Sequence, residues 1–165
     1  MSLFIPHFHD TVVVRGSTAE SFQGPTGKIQ LLADSEATGG ALSTVRVSLD
    51  KGADGARPHH HKKSAELFYI IEGGIRVLSG DQIVRADAGD VIVVPPGLSH
   101  AFSAEPGKAA ELLIVIAPGV ERFEYFRKLM RIARGQEAPE SLRDVQELYD
   151  TYFVNSPEWE AANKK

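Results

Sequence analysis

Residues 51–74 read KGADGARPHHHKKSAELFYIIEGG, and residues 88–104 read AGDVIVVPPGLSHAFSA. In a strand, residues two apart share a face, so His59 and His61 point inward together while His60 points outward. Two imidazoles then aim at one point. A turn through Lys62 to Ala65 brings the Glu66 carboxylate back beside them, and the same alternation turns Phe68 and Ile70 inward after it. Pro95-Pro96-Gly97-Leu98-Ser99 forces a sharp turn before His100, which starts another strand and supplies a third imidazole, with Phe102 on the same face. Three neutral nitrogens and one carboxylate suit a single divalent ion of iron, manganese, nickel, cobalt, copper or zinc, and an octahedral ion would keep two positions open.

Outward from these stretches the chain reads as short apolar or β-branched runs: Leu42 to Leu49, Glu66 to Ile71, Ile75 to Leu78, Gln82 to Ala86, Val91 to Val94 and Leu112 to Ala117. Turn residues separate them, at Gly52 to Gly55, Glu72-Gly73-Gly74, Ser79-Gly80-Asp81, Ala88-Gly89-Asp90 and Glu105-Pro106-Gly107. Strands this short and this regularly spaced favour an all-β sandwich or barrel over a βαβ fold. Thr11 to Val14 and Ile29 to Leu32 extend the same sheets. After Pro118-Gly119 the period changes, and Phe123, Phe126, Met130 and Ala133 recur at helical spacing. That stripe reads as a helix face packed on the barrel or across a dimer contact. Pro139 at a first-turn position, followed by Leu142, Val145, Leu148 or Tyr149, and Tyr152, predicts a second helix from about 139 to 152. The tail from Ala161 to Lys165 reads as frayed.

The chain has 165 residues, 42 % of them hydrophobic, enough for one domain with a real core. Its 18 basic and 22 acidic residues leave a net charge of −4 with no block of like charge, which points away from nucleic acid and anionic membrane surfaces. No cysteine is present, so a metal must be held by imidazole and carboxylate. Met1 to Asp10 lacks a basic region followed by an apolar run, and the apolar stretches are strand-sized, so a cytoplasmic protein without a leader or a membrane span is expected. His7 and His9 copy the alternating spacing without a surrounding framework and read as surface residues. Arg46 either faces solvent or enters the barrel to pair an anionic substrate, with solvent the favoured side.

The two quoted stretches resemble the paired motifs of the cupin superfamily, written G-x5-H-x-H-x3,4-E-x6-G and G-x5-P-x-G-x2-H-x3-N. His59, His61, Glu66 and Gly73 match the first, and Gly89, Pro95, Gly97 and His100 match the second, with fifteen residues between Gly73 and Gly89. The leading glycine falls one residue early, at Gly52, and Ala104 replaces the final asparagine. The resemblance implies an all-β fold, a double-stranded β-helix or jelly-roll barrel with C-terminal helices. Residues 1–165 would be a single cupin domain, with the barrel core about 40–118 and the helical segment about 120–155.

It further implies a homodimer and a small-molecule substrate. Many small one-domain cupins with this motif pair are dioxygenases similar to the quercetinase-like group. In that reading Glu66 is both ligand and proton acceptor, and Phe68, Ile70 and Phe102 wall the substrate pocket. A non-redox isomerase or cyclase acting on a sugar or polyketide-like intermediate, and a non-catalytic binding protein, are the alternatives, because one barrel hosts unrelated chemistries.

Overall fold

The structure, a computed structural model, describes residues 5–164. The first four residues of the stretch read above for a leader, and Lys165 of the tail, lie outside them. Ten strands follow one another as β1 (Ser21–Gly24), β2 (Gly27–Ala33), β3 (Ser43–Leu49), β4 (His59–His60), β5 (Ala65–Ser79), β6 (Gln82–Asp87), β7 (Val91–Val94), β8 (His100–Ala104), β9 (Ala110–Ala117) and β10 (Tyr152–Phe153). They pair antiparallel in the order β1-β2-β3-β9-β5-β8-β4-β10, with β6 and β7 also paired to β5. This is a jelly-roll barrel.

The alternation that predicts the strands also fills the barrel. Val45, Val47 and Leu49 of β3, Glu66, Phe68 and Ile70 of β5, and Leu112, Ile114 and Ile116 of β9 are buried, while Arg46 and Tyr69 between them are exposed. Phe68, Ile70, Ile75, Val77 and Leu112 are fully buried in one apolar cluster. Arg46 stands on the solvent side, its Nε donating to the Glu111 carboxylate at 2.8 Å.

The Glu72-Gly73-Gly74 break is a bend within one strand. The two runs on either side of it form the single fifteen-residue β5, which pairs with β7 and β9 over its first half and with β6 and β8 over its second. A register shift between Ile70 and Glu72 carries the strand from one sheet to the other. Gly73 sits there at φ 76°, where an added Cβ would lie 1.9 Å from the Ala109 carbonyl oxygen, so only glycine fits.

Other expectations are corrected at the two ends of the chain. Thr11 to Val14 forms no strand, and Val12 to Val14 are exposed without a ladder to join; the added strand is β1 instead. The first C-terminal helix, α1 (Phe123–Ala133), forms as predicted and packs on β1 of the barrel. The second helix does not run from 139 to 152. It is a 3₁₀ turn over Pro139–Val145, after which the chain turns and adds β10 beside β4. Asp150, at φ 48°, is incompatible with a continuing helix.

The tail is docked through Asn163. Ser156 caps α2 (Pro157–Ala162) by accepting from the Trp159 N–H at 3.2 Å, and Trp159 packs on Leu78 and Ala101. Arg76 then donates to the Ala162 carbonyl at 2.8 Å and to the Asn163 side chain at 2.6 Å. No helix among the described residues is long and apolar enough to cross a membrane.

Candidate metal centre

His59, His61, Glu66 and His100 converge, each with one ligand atom, and these four atoms lie within 4.8 Å of one another. All four residues are buried. They come from β4 and the residue that follows it, from β5 and from β8. His59 of β4 is the cross-strand partner of His100 of β8, and their rings stand 4.3 Å apart between centroids. Glu66 enters from β5 in phase with Phe68 and Ile70. His60 turns the other way and stacks on Tyr152 of β10, with ring centroids 5.4 Å apart.

The turn before His100 has Pro96 and Gly97 as its central residues, Gly97 at φ 83°, and the Leu98 N–H reaching back 3.4 Å to the Pro95 carbonyl. Proline followed by a left-handed glycine defines a type II turn. The Gly97 N–H also donates to the His61 carbonyl at 2.6 Å, which ties this turn to the first histidine pair.

The second ring nitrogens decide what the site can hold. Nδ1 of His59 lies 2.7 Å from the Arg57 carbonyl, Nδ1 of His61 lies 2.5 Å from the Asp150 carbonyl, and Nδ1 of His100 lies 2.9 Å from the Leu98 carbonyl. A carbonyl only accepts, so each ring donates from Nδ1 and, when neutral, offers a bare lone pair at Nε2. Those lone pairs face the Glu66 carboxylate, at 2.5 Å for His100, 3.1 Å for His61 and 3.9 Å for His59. Acceptors packed against an acceptor at such distances need a cation between them, which is the chemistry of a metal site.

With protons alone in that role, the ionisations are strongly shifted. Burial, with the His100 charge adding to it, pushes the His59 imidazole well below its ordinary value, so it stays neutral. Burial also opposes charge on Glu66 and His100, but their mutual contact outweighs it. The Glu66 carboxyl is held well below the usual carboxylate range by its hydrogen bonds to His100 and His61, and His100 is raised.

A cavity of about 390 Å³ opens over His59 and Glu66. Its walls come from two sources. The barrel contributes Val45, Val47, Phe102 and Ile114, and the C-terminal segment contributes Tyr125, Phe126, Met130 and Phe153. Phe102 is the residue from the sequence-derived pocket that borders the cavity. Phe68 and Ile70 are fully buried in the barrel core, with Phe68 meeting Phe102 edge to face at 5.3 Å. His7 and His9 are exposed and lie outside the cluster.

Sequence reasoning missed Asp150 and the C-terminal wall. Asp150 is fully buried, and its carboxylate accepts from the N–H groups of Lys62 at 2.8 Å, Lys63 at 2.9 Å and Ser64 at 3.3 Å. It thereby holds the loop between His61 and Glu66, while its carbonyl orients His61. Its signal is faint: aspartate tolerates a left-handed backbone, but helical spacing around it suggested otherwise.

Residues 45–116, a little under half of the chain, match the cupin domain family model. Comparison with curated proteins finds no match. Among solved structures, the chain is similar to a predicted oxalate decarboxylase from Thermotoga maritima, at 25 % identity over 64 % of this chain and 98 % of that one, with a TM-score of 0.57. It is also similar to the Streptomyces protein PAC13 with uridine, at 19 % identity over 69 % and 87 % with a TM-score of 0.56; that protein is described as a nucleoside dehydratase. The polyketide cyclase RemF from Streptomyces resistomycificus is similar at 17 % identity over 66 % and 80 %, with a TM-score of 0.55. With both motifs in register on a jelly roll and the matching family model spanning β3 to β9, residues 45–116 form a small barrel domain of the cupin kind.

Proposed function

We propose that the chain, acting as one cupin unit, is a metal-dependent dioxygenase of a small aromatic or enolic molecule. His59, His61, Glu66 and His100 would hold the ion. The observation that carries this reading is the cavity: it reaches His59 and Glu66, yet its walls are Phe102, Tyr125, Phe126, Met130 and Phe153, the lining expected around a flat apolar substrate. A bound divalent metal would supply Lewis acidity and, for iron, manganese, nickel or copper, the one-electron chemistry that dioxygen requires. Glu66, ionised and bordering the cavity, accepts the proton of an enol or phenol hydroxyl. Phe102, backed by Phe68 and Ile70, and the aromatic residues of α1 exclude water from the reacting carbon atoms. A non-redox lyase or cyclase is the second reading, favoured by the likeness to a nucleoside dehydratase and a polyketide cyclase.

Two copies would pair through the outer face of β5 and β7, where Tyr69, Ile71, Val91 and Val93 are exposed. One preparation tests these statements together. Elemental analysis of the wild type beside a His59→Ala, His100→Ala double variant should find near-stoichiometric metal in the first alone. Oxygen uptake with flavonols and catechols should follow the metal, and light scattering should give the mass of a dimer. Zinc with no oxygen uptake would move the assignment to the lyase or cyclase. Ligand-dependent thermal stabilisation without turnover would make the chain a binding protein.

A further inference from the structure

The cavity carries more positive charge than its site needs. Lys28, Arg57 and Arg122 border it, against Glu66 as the one carboxylate among its lining residues. This occurs in a chain whose net charge is −4. Lys28 and Arg57 are exposed, but Arg122 is only 5 % exposed. Four exposed or half-exposed arginines have carboxylate partners: Arg46 with Glu111, Arg85 with Glu105, Arg127 with Glu20 and Arg131 with Glu137. Among the described residues the guanidinium of Arg122 has none. The nearby Asp34 carboxylate is occupied by the backbone N–H groups of Arg122 and Phe123.

The Arg122 side chain is fixed in place nonetheless. It donates to the Tyr149 carbonyl at 3.0 Å and to the Thr151 hydroxyl at 2.6 Å, and it lies over the rings of Tyr125 at 4.4 Å and Phe126 at 5.4 Å. These contacts satisfy one end of the fork and leave Nε, buried, with no hydrogen-bond partner in the protein. A buried cation without a counter-ion is costly, and a carboxylate seated in the cavity would relieve that cost with a charge-assisted bond.

We propose that the cavity selects an anionic substrate, an aromatic or enolic carboxylate, with Arg122 as the buried anchor of the carboxylate and Arg57 at the rim as a second, solvent-screened cation. The inference takes the cavity over His59 and Glu66 as the substrate site and so rests on the reading above. It adds a charge requirement to it. The hydroxyl or enol of such a molecule would face Glu66, and its carboxylate the side of the cavity formed by α1 and the segment around Tyr149 to Thr151.

The test compares matched probes, 1-hydroxy-2-naphthoate and its neutral carboxamide, by calorimetric titration of the full-length protein before and after dialysis against a chelator. The carboxylate should bind on the order of 30-fold more tightly than the amide, as expected for a desolvated charge pair, and the ratio should survive metal removal. In Arg122→Gln the ratio should collapse toward one while amide binding is retained. Arg122→Lys, which keeps the cation but loses the fork, should keep a reduced ratio above one, and it carries the test if the glutamine variant does not fold.

A ratio near one in the wild type, a ratio unchanged in the substituted protein, or a ratio that vanishes with the metal would each overturn the proposal; the last would assign the carboxylate to the metal instead. Oxygen uptake does not enter this measurement. Failure of the oxygenase reading and failure of the charge requirement are therefore separate results.

Discussion

The barrel from β3 to β9 and the segment after Pro118 contribute to the same site in different ways. All four candidate ligands, His59, His61, Glu66 and His100, come from the barrel. The later segment contributes the Asp150 carbonyl that orients His61, the Asp150 carboxylate that holds the 62–64 loop, the buried cation Arg122 and about a third of the cavity wall. The barrel thus presents the candidate metal centre, and the later segment walls part of the cavity over it. The later segment lies outside the region matched by the family model, so one set of ligands can be kept while the wall beside it changes.

The largest effect that could break this comparison is at Asp150. Replacing it by alanine leaves three backbone donors of the ligand loop uncapped in a buried place and puts a side chain with little tolerance for φ 48° where aspartate stood. A loss of about 2–4 kcal/mol is expected, read as a fall of roughly 5–15 °C in melting temperature. Metal affinity should drop by about 10–100-fold, because the loop that sets His61 against Glu66 loses its anchor even though the backbone carbonyl at position 150 remains. Asp150→Asn, which keeps an acceptor and tolerates the left-handed region, should recover most of the stability. A variant as stable and as metal-rich as the wild type would mean that the barrel orients its own ligands.

Acid should separate the two contributions next. The ligand nitrogens must be unprotonated to bind metal, and Glu66 raises the proton affinity of His100, so protons compete from above the ordinary imidazole value of about 6.5. Metal content should fall as pH is lowered through that range. The barrel, whose core is apolar, should keep its far-ultraviolet circular dichroism over the same interval. Simultaneous loss of metal and fold would show that the ion holds the strands together.

The smallest effect is expected inside the family-matched region. Arg46→Ala removes an exposed ion pair with Glu111 on the outside of β3, and a cost of about 0.5 kcal/mol or less is expected in thermal or urea unfolding. Should Arg46 matter as much as Asp150, nearness to the site would not be what ranks these residues.

The ligand set was legible because it depends on periodicity and turn chemistry. His59 and His61 lie two apart on an extended segment, Glu66 stands in phase with Phe68 and Ile70, and the Pro96-Gly97 pair can form only a few turn types. The C-terminal end was misread for the opposite reason. Leu142, Val145, Leu148 and Tyr152 suit a helix locally, but an aspartate needed to cap the 62–64 loop and a strand partner waiting at His59 and His60 outweigh a helical preference of a few tenths of a kcal/mol per residue. The tail held its own signal in Ser156-Pro157, a cap followed by a first-turn proline, though its burial depends on Leu78 and Ala101 far away in sequence.

By itself, then, the sequence determined the barrel, the phase of its strands and the four side chains that meet inside it, since each follows from spacing along one or two strands. Only the tertiary structure decided that the Asp150 carbonyl orients His61, where α1 closes the cavity and that Arg122 is buried there without a carboxylate. Those facts arise from contacts between residues 27 or more positions apart, whose partners no local pattern specifies.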